Sequence, residues 1–293
     1  MIDDEGADAG IVGDPPRSTA SSDVATQVER LGMVAFSNVA PLHWQLGSWP
    51  GAEFVHGVPT ELNRRLLEGS IDLTLISIIE FLRHSRDLRA LPDFSVATLG
   101  AVTSVTLFHW RPWEELNGAT VAVTTDSATS VTLLQVLLQT AGIRAELQAM
   151  PPDLEAMLGS CDAALLIGDA ALVEALGRRR INARLPLMTD LGEAWYHLTR
   201  LPFTFAVWAS RRDHPPSAGL VAELRRAREQ GLGRLAEVAR AEAARLGLPA
   251  AALQRYLGNF RYYLELPDRD GLMTFGRLAL PDFDPARVCF WQL

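Results

Sequence analysis

Two stretches of the chain carry the same pattern of apolar and polar positions. Residues 69–82 read GSIDLTLISIIEFL and residues 159–172 read GSCDAALLIGDAAL. In each, Gly-Ser-x-Asp precedes an apolar run short enough for a buried strand, and a turn then gives way to helical spacing. Upstream, AEFVHGVPTELNRRLLEG and AELQAMPPDLEAMLG both run from a short strand through proline into an amphipathic helix. Further back, MVAFSNVAPLHWQL and TVAVTTDSATSVTLLQVLL both read as strand, polar loop and helix. This doubling predicts an α/β protein with two similar βαβαβα lobes. Its ligand should lie in a cleft outside the carboxyl ends of the parallel strands.

The pattern also divides the chain. Residues 1–29 are acidic, rich in Gly, Pro, Ser and Ala, and without period, which predicts a disordered tail. The first lobe is expected to be discontinuous, from 30–110 plus 200–293, around a second lobe at 111–199. Its first strand is expected over 32–36. A helix is expected over 59–68, with Leu62 and Leu66 on one face and Gly69 ending it. The β-branched and aromatic run 94–110 reads as the crossing between lobes, and 201–210 as the return. Helical spacing then dominates 216–280, with breaks near Gly231, Pro249 and Pro267.

Composition narrows the functional classes. At 293 residues, 48% of them hydrophobic, the chain has material for about two cores. Cys161 and Cys289 are far apart and suit a reduced, cytoplasmic protein better than a disulfide. No secretory pattern opens the sequence and no apolar run is long enough for a membrane span, so a cytoplasmic role is expected. A formal charge of −8 leaves no basic footprint for nucleic acid, and any anion site must be built locally. His43, His56, His84, His109, His197 and His214 are scattered without metal-ligand spacing. The sequence contains no phosphate-binding glycine loop, dinucleotide fingerprint or nucleophile elbow.

What remains is a set of loops after strands. The segment 127–130, SATS, precedes a helix on which Leu134, Leu137, Leu138 and Ala141 share a face. Thr129 or Ser130 there is either a plain N-cap or part of an anion site at a helix start. Asn38 follows the first strand, where it either shapes a turn or a helix at 41–46 or faces the cleft. Ser104 lies in the crossing run, either as a satisfied strand hydroxyl or as a group projecting between the lobes. Asp169 opens a helix, where capping alone would suit a carboxylate. The candidate substrate-binding positions are Ser77, Ser127, Thr129, Ser130, Gly168 and Asp169.

Ordered segments then tie the chain to a family. FSNVAPL at 36–42, GVPTELNRRLLEGSIDLTLIS at 57–77, LPDFSVATLGAVTSVTLF at 91–108, SATSVTLLQVLL at 127–138 and DAALLIGDAAL at 162–172 are among seven such pieces. Over about residues 31–280 the sequence resembles the chorismate dehydratases of the futalosine route to menaquinone. The resemblance implies a two-lobed type II periplasmic-binding-protein-like fold used as a carbon–oxygen lyase, a hydro-lyase. It would remove water from chorismate to give 3-[(1-carboxyvinyl)oxy]benzoate, without metal or organic cofactor. It also implies that Asn38 and Ser104 are the family's active-site asparagine and serine. Ser37, Ile78, Ala101 and Arg200 depart from the common pattern, in which leucine, serine, proline and glycine stand. The alternatives are a non-enzymatic binder of small carboxylates and the related synthase that forms 1,4-dihydroxy-6-naphthoate on the same fold.

Overall fold

The computed structural model describes Met1 and residues 28–292. Most of the tail expected over 1–29 lies outside the described residues. Its last residue, Glu29, instead opens a strand. The buried Glu29 carboxylate accepts the backbone N–H and the hydroxyl of Ser217 at a distant helix start. Among the described residues no helix is long and apolar enough to cross a membrane.

In chain order the first elements are β1 (Glu29–Val34), β2 (Ala52–Gly57), α1 (Pro59–Leu67), β3 (Leu73–Ser77), α2 (Ile78–Arg83), β4 (Leu88–Ala90) and β5 (Val96–Thr98). The next group is β6 (Val105–His109), β7 (Thr120–Thr124), α3 (Ala128–Thr140), β8 (Glu146–Met150), α4 (Leu154–Ser160), β9 (Ala163–Ile167), α5 (Gly168–Gly177), β10 (Leu187–Asp190) and α6 (Leu191–Thr199). The chain closes with β11 (Phe203–Arg211), α7 (Ala218–Gly233), α8 (Leu235–Leu246), α9 (Ala250–Gly258), β12 (Phe260–Arg261) and α10 (Leu266–Ala279). Two sheets result. One has seven strands in the order β12-β5-β11-β3-β1-β2 with β4 beside β11, and the other has five in the order β10-β6-β9-β7-β8.

The sequence repeat is visible in the register. β1 runs parallel to both β2 and β3, and β7 runs parallel to both β8 and β9. An antiparallel neighbour follows in each sheet, β11 beside β3 and β6 beside β9. The aspartate of each Gly-Ser-x-Asp does the same work twice. Asp72 accepts the N–H of Arg30 at 2.8 Å, and Asp162 accepts the N–H of Thr120 at 2.9 Å, each at the start of the first strand of its half. Burial alone would raise the Asp72 carboxyl, but the side chain and N–H of Arg30 outweigh it and hold the group below its ordinary range. Every residue of β3, β6 and β9 is buried, as central strands covered on both faces should be.

The run 94–110 is not one crossing strand. It breaks into β5 and β6 around Gly100 and Thr103, which have φ of 93° and 63°. β6 therefore joins the second sheet at Val105, ahead of the boundary expected at 111. One carboxylate fastens the outward crossing to the start of α6. Asp190 accepts N–H groups of Val102 and Thr103 at 3.0 and 2.6 Å and of Gly192 and Glu193 at 2.9 and 3.0 Å. Beside it Trp195 and Phe203 meet edge to face at 5.2 Å and Phe203 and Phe275 at 4.9 Å, joining α6, β11 and α10.

The C-terminal helices pack back on the first sheet and on the segment that follows β1. That segment is not the helix expected at 41–46: Ser37–His43 forms a 3-10 helix with Pro41 inside it. Gly231 does not break α7. It lies within the helix because a Cβ there would stand 2.1 Å from the Pro41 carbonyl oxygen. The break falls at Arg234, Pro249 precedes α9, and Pro267 sits in the first turn of α10 rather than interrupting it.

Candidate active site

A cavity partly open to solvent lies between the sheets. Asn38, Ser77, Ser104, Ser127, Thr129, Ser130 and Gly168 all line it, so seven of the eight residues singled out from the sequence converge on one space. Asp169 does not. Its Oδ1 accepts the N–H of Ser37 at 3.0 Å and its Oδ2 pairs with Arg245 at 2.6 Å, while Arg245 also bonds Ser37 Oγ at 3.0 Å. Asp169 is a tie between the halves of the molecule, carried on α5 of one and reaching the 3-10 segment and α8 of the other.

Asn38 reaches the cavity from the 3-10 segment. Its backbone carbonyl accepts the hydroxyl of Tyr262 at 2.9 Å, which fixes the turn, while its side-chain Oδ1 is buried without a hydrogen-bond partner. Ser104 stands just before β6 rather than inside a strand. Its carbonyl accepts the N–H of Gly168 at 2.7 Å, and its hydroxyl makes only a long 3.5 Å contact to the Val102 carbonyl. A polar oxygen left unpaired on a cavity wall is costly unless something else meets it there. Both side chains therefore have bonding capacity left for a ligand.

In the loop before α3 the N-cap is neither Thr129 nor Ser130. Ser127 is the N-cap, accepting the N–H of Ser130 at 3.1 Å and donating to Ser130 Oγ at 3.1 Å. Thr129 is neither a cap nor free: its Oγ1 accepts the N–H of Ile79 at 3.2 Å, joining α3 to α2 of the other sheet. Ser77 precedes α2 and is gripped by Asn63, whose Nδ2 donates to Ser77 Oγ at 3.0 Å and whose Oδ1 accepts the Ser77 N–H at 3.3 Å. Gly168 opens α5 with φ of 59°, and a Cβ there would stand 2.9 Å from the Phe36 ring, so this position requires glycine on two counts.

The remaining wall is apolar, with Val34, Phe36, Leu75, Val102, Ile167 and Phe205 among its members, and among the described residues no lining residue is titratable. Phe36, Val102 and Phe205 were not singled out in the sequence, nor were Asn63 and Tyr262 behind the wall. Phe36 sits inside FSNVAPL and was within reach of that motif; Asn63 and Tyr262 act through contacts that no local spacing reveals. Arg200 takes no part in the cavity: it is exposed at the end of α6, with its guanidinium over the Tyr196 ring at 5.4 Å.

Two lobes and a cleft between them define the class, the periplasmic-binding-protein fold. The periplasmic aliphatic sulphonate binding protein SsuA of Escherichia coli superposes with a TM-score of 0.64 at 20% identity, over 90% of this chain and 92% of that one. A structure from Archaeoglobus fulgidus superposes with a TM-score of 0.67 at 20% identity, over 86% and 96%. Within that class the sequence is more specific. Residues 29–280 match the family described as menaquinone biosynthesis, and the chain belongs to it. A chorismate dehydratase of Thermus thermophilus is 47% identical over 268 residues, covering 86% of this chain and 95% of that protein.

Proposed function

We propose that the protein is a chorismate dehydratase, a hydro-lyase that converts chorismate into 3-[(1-carboxyvinyl)oxy]benzoate and water in menaquinone biosynthesis. The identity with the Thermus thermophilus enzyme along nearly its whole length carries the reading. The cavity supports it. Chorismate bears two carboxylates, and the wall offers the starts of α3 and α5 together with the hydroxyls of Ser127 and Ser130, a neutral way to hold anions. The apolar remainder suits the ring. A cytoplasmic setting follows from this reading.

The chemistry explains why such mild groups suffice. The hydrogen on the ring carbon that bears the enolpyruvyl ether is acidified, through a double bond, by the ring carboxylate. Its C–H electrons become a ring double bond as the neighbouring hydroxyl departs and is protonated to water, and the ring turns aromatic. With no titratable side chain among the described residues of the wall, the proton goes to the substrate's own enolpyruvyl carboxylate or to a side chain that it positions. In this reading Ser104 hydrogen-bonds the departing hydroxyl or that carboxylate, and Asn38 holds the substrate from the facing lobe, both contacts tightening as charge moves.

Mass spectrometry of chorismate incubated with the pure protein is expected to show loss of one water, at a rate that EDTA leaves unchanged. Chorismate that binds and is recovered intact would instead favour a binder of small carboxylates.

A further inference from the structure

Tyr256 is a buried phenol with no assigned work. It sits in α9, 4% exposed, with its ring edge-on to Phe260 at 5.2 Å, and Phe260 in turn stacks on Tyr262 at 5.9 Å. Tyr262 spends its hydroxyl on the Asn38 carbonyl. The Tyr256 hydroxyl has no hydrogen-bond partner among the described residues. Ser104 contributes to its electrostatic surroundings, yet no hydrogen bond joins the two. Tyr256 does not line the cavity; with Thr103, the neighbour of Ser104, it lines a separate hollow behind the wall.

Three aromatic rings thus form one post behind the cavity, with Tyr262 bonded to the Asn38 carbonyl and Tyr256 sharing a hollow with Thr103, the neighbour of Ser104. We propose that Tyr256 is a positioning residue, whose phenol closes onto Ser104 Oγ when substrate binds and thereby turns the serine's own proton toward it. The inference rests on the dehydratase reading for the identity of that substrate. Ser104 has one hydrogen to give and two lone pairs to fill. With the Val102 carbonyl at 3.5 Å as its sole acceptor, its hydroxyl is free to rotate, and a donor behind it selects the rotamer that points inward. Burial first, then the carboxylates of Asp169, Asp190 and Glu242, keep the phenol protonated, although Ser104 pulls the other way. Tyr256 is therefore a donor throughout the neutral range.

The test is a double-mutant cycle of Tyr256→Phe with Ser104→Ala, read as turnover at saturating chorismate beside thermal melts. Tyr256→Phe keeps the ring and removes only an unpartnered buried hydroxyl, so its melting temperature stays level or rises. Turnover should nevertheless fall about tenfold, with KM changed less than twofold, the scale for losing an outer group that orients a reacting one. In the Ser104→Ala background the same substitution should change nothing. Full turnover in Tyr256→Phe, or equal losses in both backgrounds, overturns the assignment. If the wild-type protein binds chorismate and returns it intact, the dehydratase reading fails and the cycle is read on dissociation constants. Coupling between the two positions then upholds the Tyr256–Ser104 bond, and its absence removes it.

Discussion

Asn38 and Ser104 meet the cavity with side chains that the protein itself hardly uses, and this decides what their loss will do. A residue kept for packing or for a turn loses stability when truncated. Asn38→Ala removes a buried oxygen that has no partner, and the turn keeps its Tyr262 bond to the backbone. Ser104→Ala removes a hydroxyl whose one contact is 3.5 Å long, while the backbone bond from Gly168 survives. Each variant should melt close to the wild type yet turn over chorismate about 10²-fold more slowly, the scale for one oriented donor, with substrate still bound. Melting and turnover measured on the same samples separate the alternatives: full activity in a destabilised variant would return that residue to a structural role. Ser37, where the family commonly has leucine, is a residue-level departure with a visible use. Its N–H and hydroxyl both enter the Asp169–Arg245–Glu242 network, and a leucine side chain has nothing to offer there.

At the scale of elements, Arg200 explains its own oddity. It ends α6 in the left-handed region with φ of 61°, which is where a glycine costs least. For arginine that conformation costs about 1–2 kcal/mol, partly offset by its exposed contact with Tyr196. Arg200→Gly should therefore stabilise the protein by about 0.5–1 kcal/mol and raise its melting temperature without altering turnover; a lower melting temperature would show that the ring contact outweighs the backbone. The helix end and the repeated strands are the kind of feature that spacing reveals. α1 begins at Pro59 as read, its Leu62 and Leu66 are buried, and Gly69 follows with φ of 77°. Elements whose shape depends on distant neighbours were not legible. The 3-10 turn at Ser37–His43 is set by Gly231 of α7 pressing on Pro41, and β12 exists by pairing with β5. The cap of α3 also escaped: three hydroxyl residues crowd four positions, and only the reach of Thr129 to Ile79 leaves the role to Ser127. The cavity was largely legible because the loops after matching strands share one outlet. Tyr256 was not, since α9 meets Ser104 only through the return of the chain.

For the whole molecule, acid is the informative stress. His43 lies in the 3-10 segment with its Nε2 unpartnered, and burial above all lowers its ring to about 4. An unfolded histidine titrates near 6.5, so above that pH neither state carries the proton and stability is at its full value. Between about 6.5 and 4 the unfolded chain binds a proton that the folded one refuses, and stability falls by up to about 3 kcal/mol. Urea melts from pH 7 to 4.5 should show that slope, and His43→Gln should flatten it by one proton; an unaltered slope would place the acid sensitivity elsewhere. The ties across the cleft have a consequence for rates. Thr129 to Ile79, Asp169 to Ser37 and Asp169 to Arg245 all link one lobe to the other around the cavity. Parting the lobes breaks all three. Where opening sets the pace, the observed binding rate is expected to climb with ligand concentration and level off at the speed with which the lobes part, and a rate that stays linear in concentration would show entry through the existing mouth.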